Sequence, residues 1–252
     1  MSALHRCSAV FALVTLAAMQ APALAAPPAT SITTTGCEEH ELSGAYPAEA
    51  FKKLLPPGFK LATLDPTGLI ALIDMSVDHC DSVDGGPGSE DFTAFVEVTP
   101  PAQYMASNIT AYGLMLRLWS NRQQTVDTVA AWGFGQQTAL AEVVFKPGLD
   151  LLGRKVSTAT VQSGTHKLIA STLYTAKKSI YPTGTTRGFA LDAFGALHII
   201  DATWTDQTFQ AGVGTFIQLG QQPLPLPLLP LQVYPVLAGD ATNYGLTLHS
   251  VQ

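Results

Sequence analysis

From Leu69 onward the chain is a succession of short apolar runs: LIALIDMSV, FTAFVEV, YGLMLRLW, ALAEVVF, KVSTATV, KLIASTLYT, RGFALDAF, ALHIIDATW, TFIQLG and YGLTLHSV. Each has the length of a strand and is rich in β-branched and aromatic residues, and glycine, proline and aspartate punctuate them. Two stretches have helical spacing instead. In PAEAFKKLL, Ala48, Phe51, Leu54 and Leu55 share one helical face, Pro47 sits in the first turn, and Pro56-Pro57 stop the run. Val126, Val129 and Ala130 mark a second short helix that Gly133 ends. Many strands and few helices predict a mainly β fold, an antiparallel barrel or a pair of packed sheets, rather than an alternating α/β fold. No break in composition marks a linker, so residues 37–252 are read as one β domain.

The first segment follows other rules. MSALHRCSAVFALVTLAAMQAPALA has a short basic start (His5, Arg6), an apolar stretch from Ala9 to Met19 and the small-residue site Ala23-Leu24-Ala25, the pattern of a cleaved secretory signal over residues 1–25. A retained anchor is the alternative, but the apolar stretch is shorter than the ~20 residues a spanning helix needs. The mature chain is expected to start near Ala26, with residues 26–36 (Ala26 to Thr35 reading APPATSITTT) as a flexible lead-in, in a secreted or periplasmic protein. The most apolar later segment, PLPLPLLPLQVYPVLAG, is interrupted by Pro225, Pro227, Pro230 and Pro235, which deny it helical hydrogen bonds. No membrane contact is therefore expected after signal cleavage.

With 252 residues, 47% hydrophobic and 13% charged, the chain can bury one substantial core. Loss of Arg6 with the signal leaves 12 basic residues against 19 acidic ones, so nucleic acid is excluded as an expected partner. Export also governs the cysteines. Cys7 leaves, and Cys37 and Cys80 remain in an oxidising compartment, where a disulfide is the first expectation. A zinc set is the alternative, because CEEH (Cys37 to His40) and DHCD (Asp78 to Asp81) would bring two thiols together with His40 and His79. The disulfide is preferred, and no metal or cofactor is expected.

Familiar catalytic motifs are absent. There is no G-x-S-x-G, H-E-x-x-H, phosphate-cradling loop or dinucleotide fingerprint. Ser163 and Ser250 stand near His166 and His249 in sequence, but that adjacency is not the spatial relation a triad needs. Asn108-Ile109-Thr110 fits a glycosylation acceptor. Acids inside strands say more. Glu97 interrupts FTAFVEV and Glu142 interrupts ALAEVVF. By alternation Glu97 shares a face with Phe95 and Thr93 and points either into a barrel or out to solvent. Inward, its pKa would rise and it could serve as acid or base.

The stretch from Trp132 to Phe145, WGFGQQTALAEVVF, combines an aromatic–glycine turn with two adjacent glutamines and an apolar strand. Together with YPAEAFKKLLPPGF, LIALIDMSV, FTAFVEV, GRKVSTATV and RGFALDAFGALHIIDATWTD, in that order and spacing, it resembles the acetoacetate decarboxylase-like superfamily from about Tyr46 to Asp206. The resemblance implies a closed antiparallel β fold around an apolar cavity. It also implies a lysine pair after the aromatic–glycine turn, one member forming a Schiff base with a β-keto acid at a pKa lowered by its neighbour and apolar surroundings, as in acetoacetate decarboxylase itself. Here that pair falls on Gln136 and Gln137. An amide cannot form the iminium, so decarboxylation by that route is not expected. Lys177 and Lys178 are adjacent but follow the KVSTATV strand, whereas the family's pair precedes it. Glu97 matches the glutamate of the strand before the turn, Asp74 falls near a second family acid, and the mature chain has no arginine before Arg117 to partner them.

Three functional readings stand beside one another. The first is an exported protein binding a small, largely apolar or oxo-acid ligand in a cavity lined by Trp132, Phe134, Gln136, Gln137, Asp74 and Glu97. The second is a lysine-independent enzyme using Glu97 as catalytic acid or base. The third is a secreted structural or interaction protein with a packed interior. A homo-oligomer is left open by all three.

Overall fold

The computed structural model describes residues 30–164, 166–205, 207–219 and 233–251. The expected signal and most of the proline–leucine segment lie outside the described residues. The elements are β1 (Ser31–Pro47), α1 (Glu49–Lys52), β2 (Lys60–Leu61), β3 (Ile70–Val83), β4 (Gly86–Thr99), β5 (Ala111–Ser120), α2 (Gln123–Val129), β6 (Thr138–Leu140) and β7 (Glu142–Leu149), followed by β8 (Lys155–Ser163), β9 (His166–Tyr181), β10 (Gly184–Leu191), β11 (Leu197–Trp204), β12 (Gln207–Leu219) and β13 (Val233–Val251).

Seven strands close a barrel in the order β1-β3-β4-β5-β10-β11-β13, with β13 pairing back to β1. The ring is antiparallel except where β10 runs parallel to β5. From the far half of β13 the sheet continues through β12, β9, β8 and β7. This extension folds against the outside of the barrel: Phe145, Val161, Leu168 and Phe216 of the outer strands pack with Leu42, Val77, Phe92 and Ala94 of β1, β3 and β4.

Strands buried on both faces explain the sequence pattern. Along β3 the odd-numbered Ile73 and Val77 face the outer sheet, while Leu72, Asp74, Ser76 and Asp78 face the barrel interior. Along β4 the even-numbered Phe92, Ala94 and Val96 face outward and Thr93, Phe95 and Glu97 inward. Each fully buried phenylalanine on the outer face contributes roughly 1.5–3 kcal/mol, and this layer supports the wall that carries the acids.

The helices are shorter than the spacing predicts, because the chain turns at Lys53 and the run Pro47 to Leu55 holds only the four residues of α1. After α2 a π-type turn, Ala130–Phe134, plugs one end of the barrel. Trp132 and Phe134 are buried there with Met115, Leu118, Val129, Ala190 and Ile200. Gly133 takes φ of 99°, and a Cβ on it would lie 2.1 Å from the His198 ring, so only glycine lets the turn reach the barrel wall.

The largest departure from the sequence reading is β1. Residues from Ser31 to Gly36, expected to be a flexible lead-in, are strand: Ile32 is opposite Leu248 on β13, and Thr34 is opposite Val83 on β3. The cysteines follow from the same register. Cys37 and Cys80 are cross-strand partners and form a disulfide that is buried against Tyr244. The zinc alternative is thereby set aside. His40 is wholly buried and its two ring nitrogens bind Ser157 (2.5 Å) and Thr172 (2.9 Å) of the outer sheet, while His79 lies beside Glu90.

Candidate functional site

The barrel encloses a cavity of about 420 Å³. Its two sides differ in chemistry. The wall built by β1, β3 and β4 carries five carboxyls, from Glu39, Glu41, Asp74, Asp78 and Glu97, and the wall built by β5, β10, β11 and β13 contributes Met115, Leu118, Ile200, Trp204, Leu246 and Leu248. Strand alternation makes the acidic wall: E-x-E-x-S on β1, D-x-S-x-D on β3 and T-x-F-x-E on β4 each place every second residue inside. Among the described residues lining the cavity there is no lysine, arginine or histidine.

The acids act on one another. Ser43 Oγ donates to Asp74 Oδ1 at 2.6 Å, and Asp74 and Glu97 face the same cavity from neighbouring strands. Burial, then the neighbouring Asp74 charge, pushes Glu97 up to about 7. Glu41 is also pushed up to about 7, first by burial and then by the charges of Asp74, Asp78 and Glu97. Burial raises Asp78 to about 6 although Tyr244 OH (2.7 Å) and Ser76 Oγ (3.1 Å) donate to it. Near neutral pH the cavity therefore holds carboxyls in both protonation states, which can lend or take a proton and attract positive charge. Two further polar atoms of lining residues, Trp204 Nε1 and Gln207 Oε1, are buried without a protein partner.

The basic groups closest in sequence are committed elsewhere. Arg187 forms a bidentate pair with Asp201, both nitrogens at 2.7 Å, and Arg117 Nη1 donates to the Gln136 carbonyl at 2.7 Å.

No protein-family model and no curated protein sequence matches the chain. Solved structures do. An acetoacetate decarboxylase from Legionella pneumophila subsp. pneumophila str. Philadelphia 1 matches over 99% of this chain and 98% of its own, at 16% identity and a TM-score of 0.58. The enduracididine biosynthesis enzyme MppR, complexed with the condensation product of pyruvate and imidazole 4-carboxaldehyde, matches over 88% of both chains at 14% identity and a TM-score of 0.60. An acetoacetate decarboxylase-like enzyme from Sphingomonas wittichii RW1 matches over 89% of this chain and 94% of its own, at 12% identity and a TM-score of 0.59. The chain has the acetoacetate decarboxylase-like fold.

Within this decarboxylase-like barrel, the residues singled out from the sequence separate into two groups. Glu97 and Asp74 meet in the cavity, and Glu97 points inward beside Phe95 and Thr93 as one of its two alternation readings required. Trp132, Phe134, Gln136 and Gln137 do not line it. Trp132 and Phe134 lie one layer behind, packed with Met115 and Leu118, whose side chains form the cavity surface. Gln136 is exposed, and Gln137 is tied to the backbone, its Nε2 donating to the Leu191 carbonyl at 3.3 Å and its own carbonyl accepting from Leu118 N at 2.9 Å. Glu142 is exposed on β7, the outward reading. Lys177 and Lys178 lie in β9 of the outer sheet, away from the ring of barrel strands. Glu39, Glu41, Asp78 and Tyr244 were not read as site residues, although the alternating acids of CEEHELS were the available signal.

Proposed function

We propose that this is an exported decarboxylase-like barrel that binds a small, largely apolar ligand carrying a positive charge, without Schiff-base chemistry. The observation that supports this reading is the composition of the cavity: five carboxyls on one wall, an apolar wall opposite, and no lysine, arginine or histidine among the described lining residues. Buried carboxyls without a cation are costly, and an organic ammonium group supplies the missing charge while its hydrocarbon body covers the apolar wall. An oxo-acid anion, the other ligand class expected from the sequence, would instead add negative charge beside a wall of carboxyls. A volume of about 420 Å³ is within the range of small-molecule sites and speaks against a solidly packed interior. Export rests on the amino-terminal sequence, and the Cys37–Cys80 disulfide is in keeping with it.

A second reading is favoured by the Asp74–Glu97 pair alone. A carboxyl pushed up to about 7 beside a second acid suits general acid–base catalysis on a bound ligand. Under that reading, turnover disappears in Glu97→Gln while ligand binding persists.

Two measurements test the main reading. Borohydride added with acetoacetate is expected to trap no adduct, because no lysine is among the described residues lining the cavity. Equilibrium dialysis is expected to retain phenethylamine and not phenylpyruvate, which has a similar skeleton and the opposite charge. A trapped adduct, or retention of phenylpyruvate in place of the amine, overturns the proposal.

A further inference from the structure

Charge is distributed unevenly along this acidic chain. Residues 143–191 hold seven of its thirteen lysines and arginines and one of its nineteen acids. That segment includes β7, β8 and β9 of the outer sheet, which packs on the outside of the barrel strands while the acids face its interior.

At one end of this sheet the β7–β8 turn presents apolar side chains to solvent. Leu149 is 72% exposed, Leu151 fully exposed and Leu152 76% exposed. The turn is an ordered one. Asp150 Oδ1 accepts from the backbone of Leu152 (2.8 Å) and Arg154 (2.9 Å), and its Oδ2 pairs with the Arg154 guanidinium at 2.6 Å. The only acid of the segment is thus neutralised locally, and its hydrogen bonds fix the turn that holds the leucines outward. Lys146 and Lys155 flank it on β7 and β8. Strand β9 runs past its pairing of Leu173 with Val156 to Tyr181, so Lys177, Lys178 and the 78% exposed Ile180 occupy the same end of the sheet as the turn.

We propose that this end of the outer sheet docks on an anionic membrane surface, the leucines of the turn entering the headgroup boundary while the excess positive charge of the segment, with Lys146 exposed beside the turn, attracts the lipid phosphates. Exposed leucines on a net-basic segment combine the two attractions that hold peripheral proteins on such surfaces: burial of apolar area and the negative potential of the lipid. A neutral or acidic partner surface would gain from only one of them. This is contact without crossing. Among the described residues no helix is long and apolar enough to span a membrane. The contact lies outside the barrel and does not depend on what the cavity binds.

Co-sedimentation with vesicles tests it, using phosphatidylglycerol:phosphatidylcholine vesicles and pure phosphatidylcholine vesicles, on the full chain and on a chain starting at Ala26, so that the apolar amino terminus does not carry the signal. Both forms are expected to bind the anionic vesicles at least tenfold more tightly than the neutral ones, with affinity falling as salt rises. Leu151→Ser/Leu152→Ser is expected to lose at least tenfold with an unchanged melting temperature, and Lys146→Ser/Lys177→Ser/Lys178→Ser to lose both affinity and salt dependence. The proposal is overturned if the chain starting at Ala26 binds neither vesicle, if it binds both equally, or if the leucine variant binds as well as the parent. A leucine variant that changes the oligomeric mass in light scattering while the parent ignores vesicles would assign the turn to a subunit contact instead.

Discussion

Asp74 and Glu97, on neighbouring strands of the barrel, both face the cavity, where burial and then the Asp74 charge push Glu97 up to about 7. An ammonium group arriving beside this pair favours the ionised carboxylates and competes with the proton that Glu97 holds below about 7. Calorimetric titration with phenethylamine at pH 6.5, in buffers of different ionisation enthalpy, is therefore expected to show proton release on binding. Glu97→Gln removes this titrating group at nearly constant shape and is expected to reduce the release. Release of the same size in the variant would place the titrating group elsewhere.

Stability should depend on pH in a direction set by the same wall. Glu41 and Glu97 rise to about 7 from an ordinary 4.5, and Asp78 to about 6 from 3.8, so the folded state binds their protons more tightly than the unfolded chain. Their stabilisation is fully present below the ordinary values and is lost as pH rises through the folded ones. His40 acts oppositely: burial lowers it to about 4 from 6.5, so its contribution is present above 6.5 and lost as pH falls toward 4. The melting temperature is expected to fall between pH 6.5 and 8, where the raised carboxyls lose their stabilising contribution. Glu41→Gln is expected to recover on the order of 1 kcal/mol at pH 8, or roughly 2–4 °C in a domain of this size. A flat profile in the parent protein would contradict the protonated wall.

The Cys37–Cys80 disulfide closes a separation of 43 residues and joins β1 to β3 beside Tyr244, the donor to Asp78. Chain entropy gives such a cross-link about 4 kcal/mol. Cys37→Ala/Cys80→Ala is expected to lower the melting temperature by roughly 10 °C and to weaken ligand binding along with stability, because β1 carries Glu39 and Glu41. Thiol titration of the unfolded, non-reduced protein should find neither cysteine free.

Gly133 is the most constrained point of the barrel plug. Alanine there combines a strained φ with a contact of 2.1 Å to the His198 ring. Gly133→Ala is expected to cost more than about 2 kcal/mol, seen as a lower denaturant midpoint, whereas Gly135→Ala, whose Cβ would meet Ala130 at 3.8 Å, should be close to neutral.

A lysine installed at the turn should not restore Schiff-base chemistry. Gln136 is exposed and neither glutamine reaches the cavity, so Gln136→Lys and Gln137→Lys lack the enclosed setting that lowers an amine's pKa. Borohydride trapping with acetoacetate is expected to stay at background in both.

The strands of β3, β4, β5, β8 and β11 were legible because their outward faces are apolar and β-branched. β1 was not, since GCEEHELSG reads as a polar loop until Glu39, Glu41 and Ser43 are seen to face a cavity and His40 to be satisfied by Ser157 and Thr172. The same cause hid most of the site. Glu97 stood out as an acid between apolar neighbours, but Asp78 sat among other acids beside a cysteine, and Tyr244 reaches it from 166 residues away in sequence. Order of motifs identified the fold. It set Trp132, Phe134, Gln136 and Gln137 at the cavity, whereas the lining is formed by other residues, because an aromatic–glycine turn has the same spacing whether it lines a cavity or packs behind it.

The central claim is that the cavity selects positive charge, and the most direct measurement is the affinity of phenethylamine, 2-phenylethanol and phenylpyruvate for one preparation at pH 6 and pH 8.5. The account predicts that the amine binds tightest and gains at least tenfold between the two pH values as Glu41, Glu97 and Asp78 ionise, that the alcohol changes little, and that the keto acid is rejected at both. Tightest binding by phenylpyruvate, or an amine affinity that does not rise with pH, would contradict it.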